Sequence, residues 1–391
     1  MEQNVNIAIV TIAYNRPDSL LRLLDSLKKV DYEANSVPLI ISIDYSGDDR
    51  VYKVAEAFNW EFGEKKIIQH TSNLGLKKHV LTCGDLVKDY DALIVLEDDL
   101  IVSPAMYSYT WRAVEKYKDD DNIAAISLYA KEWSESAWKP FVPAVTCYDT
   151  YFVQTAESWG QVWMRKDWVR FREWYKNNSE PFSESVGVPQ DVCDWDSKSW
   201  KKYHIKYCVD NNKYTVYPYR SLTTCMGEEG EHVKANNNRF QVPMIENVQK
   251  QFVFADFEND DSVKYDTYLE RVFNKQMDTC IDLYGQKKDY GSFRYVITPK
   301  NLNYKVVETY GLSLRPHEEN LSHKVRGNYF VKYDLSIPEK NKSMLFRSQA
   351  ELNYYNYADF EYVTNKMRVK DLFTHILRII FYRIKKLFRK N

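Results

Sequence analysis

The stretch "LIVLEDDLIVSP", residues 93 to 104, places three consecutive carboxylates inside an apolar run of the kind that forms a buried strand. Glu97, Asp98 and Asp99 repel one another, and charged side chains are seldom buried without a partner. The run therefore predicts a strand that reaches the open edge of a sheet and delivers its acidic residues to a site there.

The segments around this strand alternate between strand and helix patterns. Short apolar runs without alternation predict parallel strands at residues 6–15, 37–46, 65–72 and 91–102. Apolar stripes at helical spacing predict helices at residues 16–29, 48–58 and 76–89. This order predicts an α/β fold, with a mainly parallel, doubly wound sheet, right-handed crossovers and helices on both faces.

Charged residues follow several of these strands. Ligands of doubly wound sheets bind beyond the carboxyl ends of the strands, and Arg16, Asp44 and the acidic run fall at those ends. Mg²⁺ and Mn²⁺ prefer hard oxygen ligands and often bind one or two carboxylates together with substrate phosphates. A divalent cation at the run is one interpretation. The alternative is a solvated turn or an N-cap for the helix that follows, although Ser103 is the better cap candidate. The structural alternative for Arg16 is a cap or a local pair, and the alternative for Asp44 is the start of a turn with Gly47.

Composition sets broad bounds on the protein. A length of 391 residues suggests two domains, or one large domain with an appendage. The net charge of −1 gives no reason to expect nucleic acid as a partner. Six scattered cysteines without a CxxC pair favour neither a zinc site nor a disulfide framework, and indicate a reducing cytosol. Ten Trp and 31 Tyr suit a protein that handles sugars, although any single ring most often fills a core.

The pattern becomes mixed after residue 123. Strands are predicted at 123–130 and 148–155, a helix in the later half of 158–175, a helix running into a strand over 197–218, and a helix over 265–285. We expect a main domain at 1–260, an accessory α/β region of unknown role at 261–365 and a terminal helix at 366–391. No signal peptide and no apolar stretch of membrane-spanning length are recognised.

The terminal segment reads as a basic amphipathic helix. Its apolar face comprises Phe373, Ile376, Leu377, Ile380, Ile384, Leu387 and Phe388, with Arg378, Lys385, Lys386 and Arg389 opposite. Such a helix is typical of an anchor in an anionic membrane surface. The alternative is a terminal helix docked on its own domain or on a partner.

Several motifs in order resemble the GT-A glycosyltransferases. The acidic stretch looks like their metal-binding motif, closest to that of the Golgi N-acetylglucosaminyltransferase that initiates complex N-glycans and of bacterial relatives in surface-polysaccharide synthesis. The other matching stretches are "VTIAYNRPDSLLRLLDSL", "LIISIDYSGDD", "NLGLKKHV", "ESWGQVWMRKDW" and "YTVYPYRSLTTCMGEEGEH". The resemblance covers residues 5 to 240 and implies a Rossmann-like GT-A fold with Mn²⁺ or Mg²⁺ as cofactor.

The resemblance also implies roles for the residues at the strand ends. Asp99 would be the direct metal ligand, Asp98 would contact ribose or the metal through water, and Glu97 would bind a donor-sugar hydroxyl. Asp44 would accept from the uracil N–H, and Arg16 would face the base or a phosphate.

Further roles fall on the later motifs. Trp159 and Gly160 belong to the loop that flanks the nucleotide-sugar on its acceptor side. His232 would close over the metal and the diphosphate, in a loop whose Glu228, Glu229 and Glu231 depart from the family's less acidic pattern. An inverting transfer needs a carboxylate base, for which Asp196 is preferred over Asp194, with Asp191 as the third choice. The alternative is that Asp196 or Ser197 caps the following helix.

The sequence thus predicts a metal-dependent, inverting glycosyltransferase. It would move a sugar, N-acetylglucosamine in the nearest relative, from a UDP-sugar to a hydroxyl of a glycan or lipid-linked acceptor in bacterial surface-polysaccharide synthesis. The enzyme would be cytoplasmic and peripheral to the inner face of the membrane, with homo-oligomerisation left open. The alternatives are a sugar-nucleotide pyrophosphorylase, disfavoured because "AYNRPD" has no glycine for a phosphate loop, and a non-catalytic nucleotide-sugar or glycan-binding module.

Overall fold

The computed structural model describes residues 5–228, 238, 240–249, 251–273 and 278–341, together with eight single residues of the C-terminal segment, namely 351, 354, 369, 373, 376, 377, 380 and 381. Its contacts divide the chain into a first unit, Met1–Phe293, and a second unit, Arg294–Asn391. This division falls after the boundary expected at residue 260, and the three-part domain assignment stays a prediction.

The first unit alternates strands and helices as far as residue 117 and becomes mixed afterwards. Its strands are β1 (Ile7–Ala13), β2 (Leu39–Ile43), β3 (Lys65–Gln69), β4 (Ala92–Glu97), β5 (Leu100–Val102), β6 (Ile123–Ser127), β7 (Trp133–Ser134), β8 (Lys139–Pro140), β9 (Thr150–Val153), β10 (Gln161–Met164), β11 (Tyr214–Pro218), β12 (Thr223–Cys225), β13 (Lys264–Tyr265) and β14 (Thr279–Ile281). Its helices are α1 (Pro17–Leu27), α2 (Arg50–Ala57), α3 (Leu76–Gly84), α4 (Met106–Tyr117), α5 (Arg165–Asn177), α6 (Gln190–Cys193) and α7 (Trp200–Asp210), with a short 3₁₀ helix at Asp85–Asp89.

Nine of these strands form one sheet, in the order β13-β9-β11-β6-β10-β4-β1-β2-β3. The pairs among β1, β2, β3 and β4 are parallel, as are β6 with β11 and β9 with β13. Strand β10 runs antiparallel between β4 and β6, and β9 runs antiparallel to β11. The predicted α/β class with a mainly parallel sheet is therefore confirmed.

Helices cover both faces of the central part of the sheet, and successive residues of a strand point to opposite faces. Ile7 and Ile9 of β1 join a core with helices α1, α2 and α4, whereas Ala8 and Val10 join a second core with α3, α5 and α7. Burial on both sides explains why the strands read as continuous apolar runs.

The strand predicted over residues 91–102 is two strands. Strand β4 ends at Glu97, Asp98 and Asp99 form a turn, and β5 leaves the main sheet to pair antiparallel with β12. The strand pairing of the main sheet stops at these carboxylates, because burying a charged group inside a sheet without a partner costs free energy. The acidic pair therefore lies in the turn at the sheet's edge.

The prediction of a helix over residues 265–285 is wrong, since none of the residues described there is helical. Tyr265 pairs with β9 in the main sheet, and the Asp266 carboxylate then accepts hydrogen bonds from the backbone amides of Tyr268 and Glu270, both at 2.9 Å. Such a side-chain-to-backbone turn competes with helix, and it redirects the chain at this point.

The second unit contains an antiparallel sheet. Its elements are β15 (Tyr295–Thr298), β16 (Tyr304–Tyr310), α8 (Glu319–Ser322) and β17 (Phe330–Pro338), and β17 pairs with both β15 and β16. Most of the predicted terminal helix lies outside the described residues. Within the described part of the chain, every helix is too short or too polar to traverse a bilayer.

Candidate active site

The crevice at the carboxyl ends of β1 and β4 is the switch point of the sheet. From β1 the strand order runs outward to β2 and β3 on one side and to β4 on the other. Loops at such a point diverge and leave room for a ligand. The register pairs Ile12 with Glu97, and the Asp98 amide donates to the Ile12 carbonyl at 3.1 Å. The acidic turn is thereby fixed beside the segment that leads from β1 to Arg16.

Arg16 and the acidic run meet in this crevice. The Arg16 guanidinium bonds the Asp98 carboxylate, and its Nη1 lies 3.3 Å from Asp99 Oδ2. Burial raises the pKa of Asp98 to about 6, although the charge and hydrogen bond of Arg16 pull it down. Burial, Asp99 and Asp98 together raise the pKa of Glu97 to about 8. Arg16 therefore offsets only part of the repulsion among the three carboxylates.

Asp99 carries the observation that points to a cation. Its Oδ1 atom is buried and has no hydrogen-bond partner among the residues that the structure describes. Leaving a buried carboxylate oxygen unsatisfied costs about 1–3 kcal/mol or more. Oxygen ligands of this kind suit Mn²⁺ or Mg²⁺. Within the described part of the chain, no group of three or more His, Cys, Asp and Glu side chains is arranged to hold a metal ion, and the role of Asp99 as a metal ligand stays a prediction.

The β5–β12 pair brings the following loop to the acidic turn. The Met226 amide donates to the Asp99 carbonyl at 3.0 Å, and Glu228 accepts from Ser19 Oγ at 2.8 Å and Arg22 Nη2 at 2.6 Å. The acidic start of this loop, which departs from the related sequences, is therefore tied to the first turns of α1. His232, Glu229 and Glu231 lie outside the described residues, and the His232 role stays a prediction.

Asp44 is occupied by the protein itself. It is buried, and its Oδ1 accepts from the amides of Tyr45 and Leu74, both at 2.8 Å, while Oδ2 accepts from Gly75 at 3.0 Å. These bonds hold the loop before α3 against the end of β2. The structure thus gives Asp44 a structural function, and its expected contact with uracil stays a prediction.

Trp159 and Gly160 precede β10 and lie at the same edge of the sheet as the acidic turn. Because β10 is antiparallel to β4, its first residue Gln161 faces Val95, near the carboxyl end of β4. The Trp159 ring is half-buried between Tyr129 and Phe240, at centroid distances of 4.9 and 4.7 Å. Gly160 has φ +98°, and a Cβ there would lie 2.8 Å from Thr223 Cγ2, so this position needs glycine.

A buried ionic cluster behind this loop was not foreseen from the sequence. Glu157 is fully buried, 3.4 Å from Lys131 Nζ and 3.7 Å from Lys201 Nζ. Burial alone would raise the pKa of Glu157, but Lys201 and Lys131 outweigh it, and the pKa lies below its ordinary value. Lys201 also lies 3.4 Å from Glu135, and its charge lowers the pKa of Glu97. Nothing in the local sequence links these residues, which come from four separate segments.

The three aspartates considered as base differ in their surroundings. Asp194 is exposed and accepts from Gln190 Nε2 at 2.8 Å, and Asp196 is exposed and accepts from the Lys198 amide at 2.8 Å. The N-cap of α7 is Ser199, rather than Asp196 or Ser197. Asp191 is partly buried beside Ser136, and burial raises its pKa while the Ser136 hydrogen bond lowers it. Of the three aspartates, Asp191 is thus the one that is partly shielded from solvent.

Comparison with known proteins matches residues 8–171 to the family described as "Glycosyl transferase family 2". Among solved structures, TarS residues 1–349 from S. aureus in complex with UDP-GlcNAc shares 13% identity at a TM-score of 0.37, over 58% of this chain and 60% of that one. GalNAc-T7 with UDP, GalNAc and Mn²⁺ shares 15% identity at a TM-score of 0.40, over 56% and 43%. The mannosyltransferase PcManGT from Pyrobaculum calidifontis, in complex with GDP-Man and Mn²⁺, shares 15% identity at a TM-score of 0.37, over 59% and 60%.

The chain spans 43 to 60% of the length of these three structures. The matched residues 8–171 include all of strand β1 but Ile7, together with the switch point, the acidic turn and the Trp-Gly loop. The chain is thus similar to glycosyl transferase family 2 over residues 8–171 of its 391 residues.

Proposed function

We propose that the protein is a metal-dependent, inverting glycosyltransferase that transfers a sugar from a UDP-sugar to a hydroxyl of a saccharide acceptor. The observation that carries this proposal is the buried Asp99 Oδ1 without a described hydrogen-bond partner, at the switch point of a region similar to glycosyl transferase family 2. The preference for UDP, and for N-acetylglucosamine as the sugar, rests on the sequence resemblance.

Mn²⁺ or Mg²⁺ fits the residues present in the crevice. Asp99 would hold the ion, with His232 as a second ligand from the loop beyond Glu228. When bound, such an ion neutralises charge on the diphosphate leaving group and acts as a Lewis acid. Positive charge beside the acidic turn comes from Arg16, which bridges Asp98 and Asp99 and would face a phosphate or the base.

The chain's own residues would then orient the donor. Glu97 and Asp98 lie at the end of β4, where a donor-sugar hydroxyl and the ribose would sit. Trp159 and Gly160 close the acceptor side, and the Glu157–Lys201 contact keeps their loop in place. Orientation of this kind supplies much of the rate enhancement in a displacement without a covalent intermediate.

The acceptor hydroxyl must lose its proton to a carboxylate as it attacks. Asp196 and Asp194 are the bases expected from the sequence, and the partial burial and raised pKa of Asp191 support that residue as well. A base should act near neutral pH, and a raised carboxyl pKa suits this task. Single Asp→Asn variants at the three positions distinguish them, because the base variant loses transfer while retaining acceptor-independent UDP release.

The terminal segment is the basis for proposing where in the cell the enzyme acts. An amphipathic helix at residues 366–391 would hold the enzyme on the cytoplasmic face of the membrane, near a glycan or lipid-linked acceptor of surface-polysaccharide synthesis. Its described residues Phe373, Ile376 and Ile380 are helical and 62, 45 and 48% exposed, which supports an apolar face open to a partner surface.

A screen of UDP-, GDP- and CMP-sugars, read as released nucleotide, tests the proposal. We expect UDP release from one UDP-sugar with Mn²⁺ and none with EDTA. A binding module would release no UDP, and a pyrophosphorylase would require a nucleoside triphosphate with sugar phosphate. Either of these outcomes would contradict the proposal.

A further inference from the structure

Residues 225–228 form a strap across the acidic turn. Cys225, the last residue of β12, pairs with β5, and the Met226 amide donates to the Asp99 carbonyl at 3.0 Å. The Met226 carbonyl in turn accepts from Gln241 Nε2 at 3.1 Å. The strap is therefore bonded to the backbone of the same residue whose carboxylate is the proposed metal ligand.

The far end of the strap is fastened to helix α1. Gly227 has φ +63°, a left-handed conformation that glycine adopts without strain, and the next residue reaches the helix. The Glu228 carboxylate accepts from Ser19 Oγ at 2.8 Å and from Arg22 Nη2 at 2.6 Å. Ser19 and Arg22 are three residues apart and are therefore neighbours on one face of α1. Their contacts with Glu228 form a clasp between the strap and the helix.

The clasp places a further carboxylate near the acidic turn. The hydrogen bond from Arg22 is the main cause that holds the pKa of Glu228 below its ordinary value, and the charge of Arg16 contributes. Arg16 also bonds Asp98 and Asp99, so one cation links the turn with the clasp. Arg22 and Glu228 are 31 and 34% exposed, and pairs that are this open to solvent add little stability. The main consequence of the clasp is therefore the position of the strap.

We propose that Glu228 is a positioning residue for the metal site. By holding the strap against α1, the clasp keeps the Met226 amide on the Asp99 carbonyl and fixes the backbone from which the Asp99 carboxylate projects. This inference rests on the proposed function, and it adds a residue that acts through Asp99 rather than on the ion. Outer partners that orient a metal ligand typically account for about 10- to 100-fold in metal affinity.

Two variants with opposite changes of charge test the proposal. Glu228→Ala removes a negative charge and Arg22→Met removes a positive one, and each of them opens the clasp. If the clasp positions Asp99, each variant should weaken Mn²⁺ binding about tenfold, measured by electron paramagnetic resonance on the full chain with UDP. If only charge mattered, Arg22→Met would instead tighten Mn²⁺ binding, because a nearby cation repels the ion.

Glu228→Gln separates the hydrogen bonds of the clasp from its charge. The amide oxygen can still accept from Ser19 and Arg22, so this variant should retain most of the Mn²⁺ affinity that Glu228→Ala loses. The double variant Glu228→Ala with Arg22→Met should lose no more affinity than either single variant, because the same clasp is broken in all three.

Asp210→Ala is the matched control. It breaks a pair of comparable exposure, since Lys206 Nζ lies 2.6 Å from Asp210 and the two side chains are 20 and 29% exposed. Asp210 ends α7 ahead of β11, which runs parallel to β6 and β4 and so begins at the edge opposite the acidic turn. This control should bind Mn²⁺ as the wild type does. All the variants should unfold near the wild-type Tm.

Two kinds of result would overturn the inference. Wild-type Mn²⁺ affinity in Glu228→Ala, or tighter binding in Arg22→Met, would show that the clasp does not position Asp99, and it would leave the proposed function in place. A wild type that binds no Mn²⁺ would contradict both, because there would be no metal site for Glu228 to position.

Discussion

At the scale of the residue, the crevice depends on side chains and backbone positions that tolerate no close substitute. Asp98 is buried because Arg16 neutralises it, and Asp99 has an oxygen that the described residues leave unsatisfied. Gly160 lets the Trp-Gly loop pass Thr223 at a distance that excludes a side chain. These are local constraints, and each is testable by a single change.

Gly160→Ala should destabilise the fold and disorder the Trp-Gly loop. The new methyl group would lie 2.8 Å from Thr223 Cγ2, at a backbone φ of +98°. Strain and overlap together cost roughly 2–4 kcal/mol. Gly291→Ala is the matched control, since Gly291 also has a positive φ but no atom within 4 Å of the position that a new methyl group would take. Urea unfolding should show a clearly larger loss for Gly160→Ala, and equal losses would refute the close approach.

At the scale of the element, the buried cluster fastens the Trp-Gly loop to α7 and to the segment before β7. Glu157 has two lysines within 3.7 Å and also accepts from the Tyr217 hydroxyl at 3.2 Å. A fully buried carboxylate needs these partners, because removing one leaves a charge without compensation in a region of low dielectric constant. Loop position and fold stability are therefore coupled through the cluster.

Lys201→Met should lower the free energy of unfolding by about 3–5 kcal/mol, the usual cost of breaking a buried ion pair. Glu157→Gln combined with Lys201→Met should lose less than the sum of the two single changes, since these two charges contact each other and are removed together. Lys53→Met removes an exposed pair with Asp49 and should change little. Additive losses in the double variant, measured by chemical denaturation, would argue against the cluster.

The elements also show what a sequence can predict. Strands β1, β2 and β4 were predictable, because residues buried on both faces leave an uninterrupted apolar run, whereas the edge strand β3 is only partly buried. The antiparallel insertion of β10, and strand β13 in place of a helix, depend on pairing with distant segments. Lys201 reads as an ordinary lysine on a helix, and only its tertiary neighbours Glu135 and Glu157 reveal its burial. The proximity of Arg16 to the acidic run was predictable because neighbouring parallel strands have their carboxyl ends at the same edge of a sheet.

At the scale of the whole molecule, two features outside the crevice bear on how the protein behaves. Glu270 in the first unit is buried, and desolvation raises its pKa from the ordinary 4.5 to about 8, with Lys287 opposing the shift. In the terminal segment, the described residues Phe373, Ile376 and Ile380 are helical and have exposed apolar side chains. The first feature makes stability depend on pH, and the second is the basis of the proposed contact with a membrane surface.

Stability should fall as pH rises from about 5 to about 8. In this window the folded protein keeps a proton on Glu270 that the unfolded chain has lost, so the folded state binds more protons. Glu270→Gln should make that slope shallower, because Glu97 and Asp98, with pKa values of about 8 and about 6, also contribute to it. The variant should have a higher Tm than the wild type at about pH 8, whereas exposed Glu180→Gln should leave the slope unchanged. A Glu270→Gln variant with the slope of the wild type would show that Glu270 is already ionised.

Binding to anionic vesicles should depend on the terminal segment. Ile376→Asp with Ile380→Asp places two charges on its apolar face, and cosedimentation with phosphatidylglycerol vesicles should be lost. Val145→Asp changes a side chain that is 78% exposed elsewhere and should bind as the wild type does. Equal cosedimentation of the double variant and the wild type would assign the segment to another partner.

The most direct measurement is the binding of Mn²⁺ in the presence of UDP, followed by electron paramagnetic resonance. We predict that the wild type and Asp89→Asn take up one ion that EDTA removes, because Asp89 precedes β4 at the opposite edge of the sheet. Asp99→Asn should lose roughly 100-fold or more in affinity, since it removes the charged oxygen ligand. Equal Mn²⁺ affinity in Asp99→Asn and the wild type would contradict a cation site at the acidic turn.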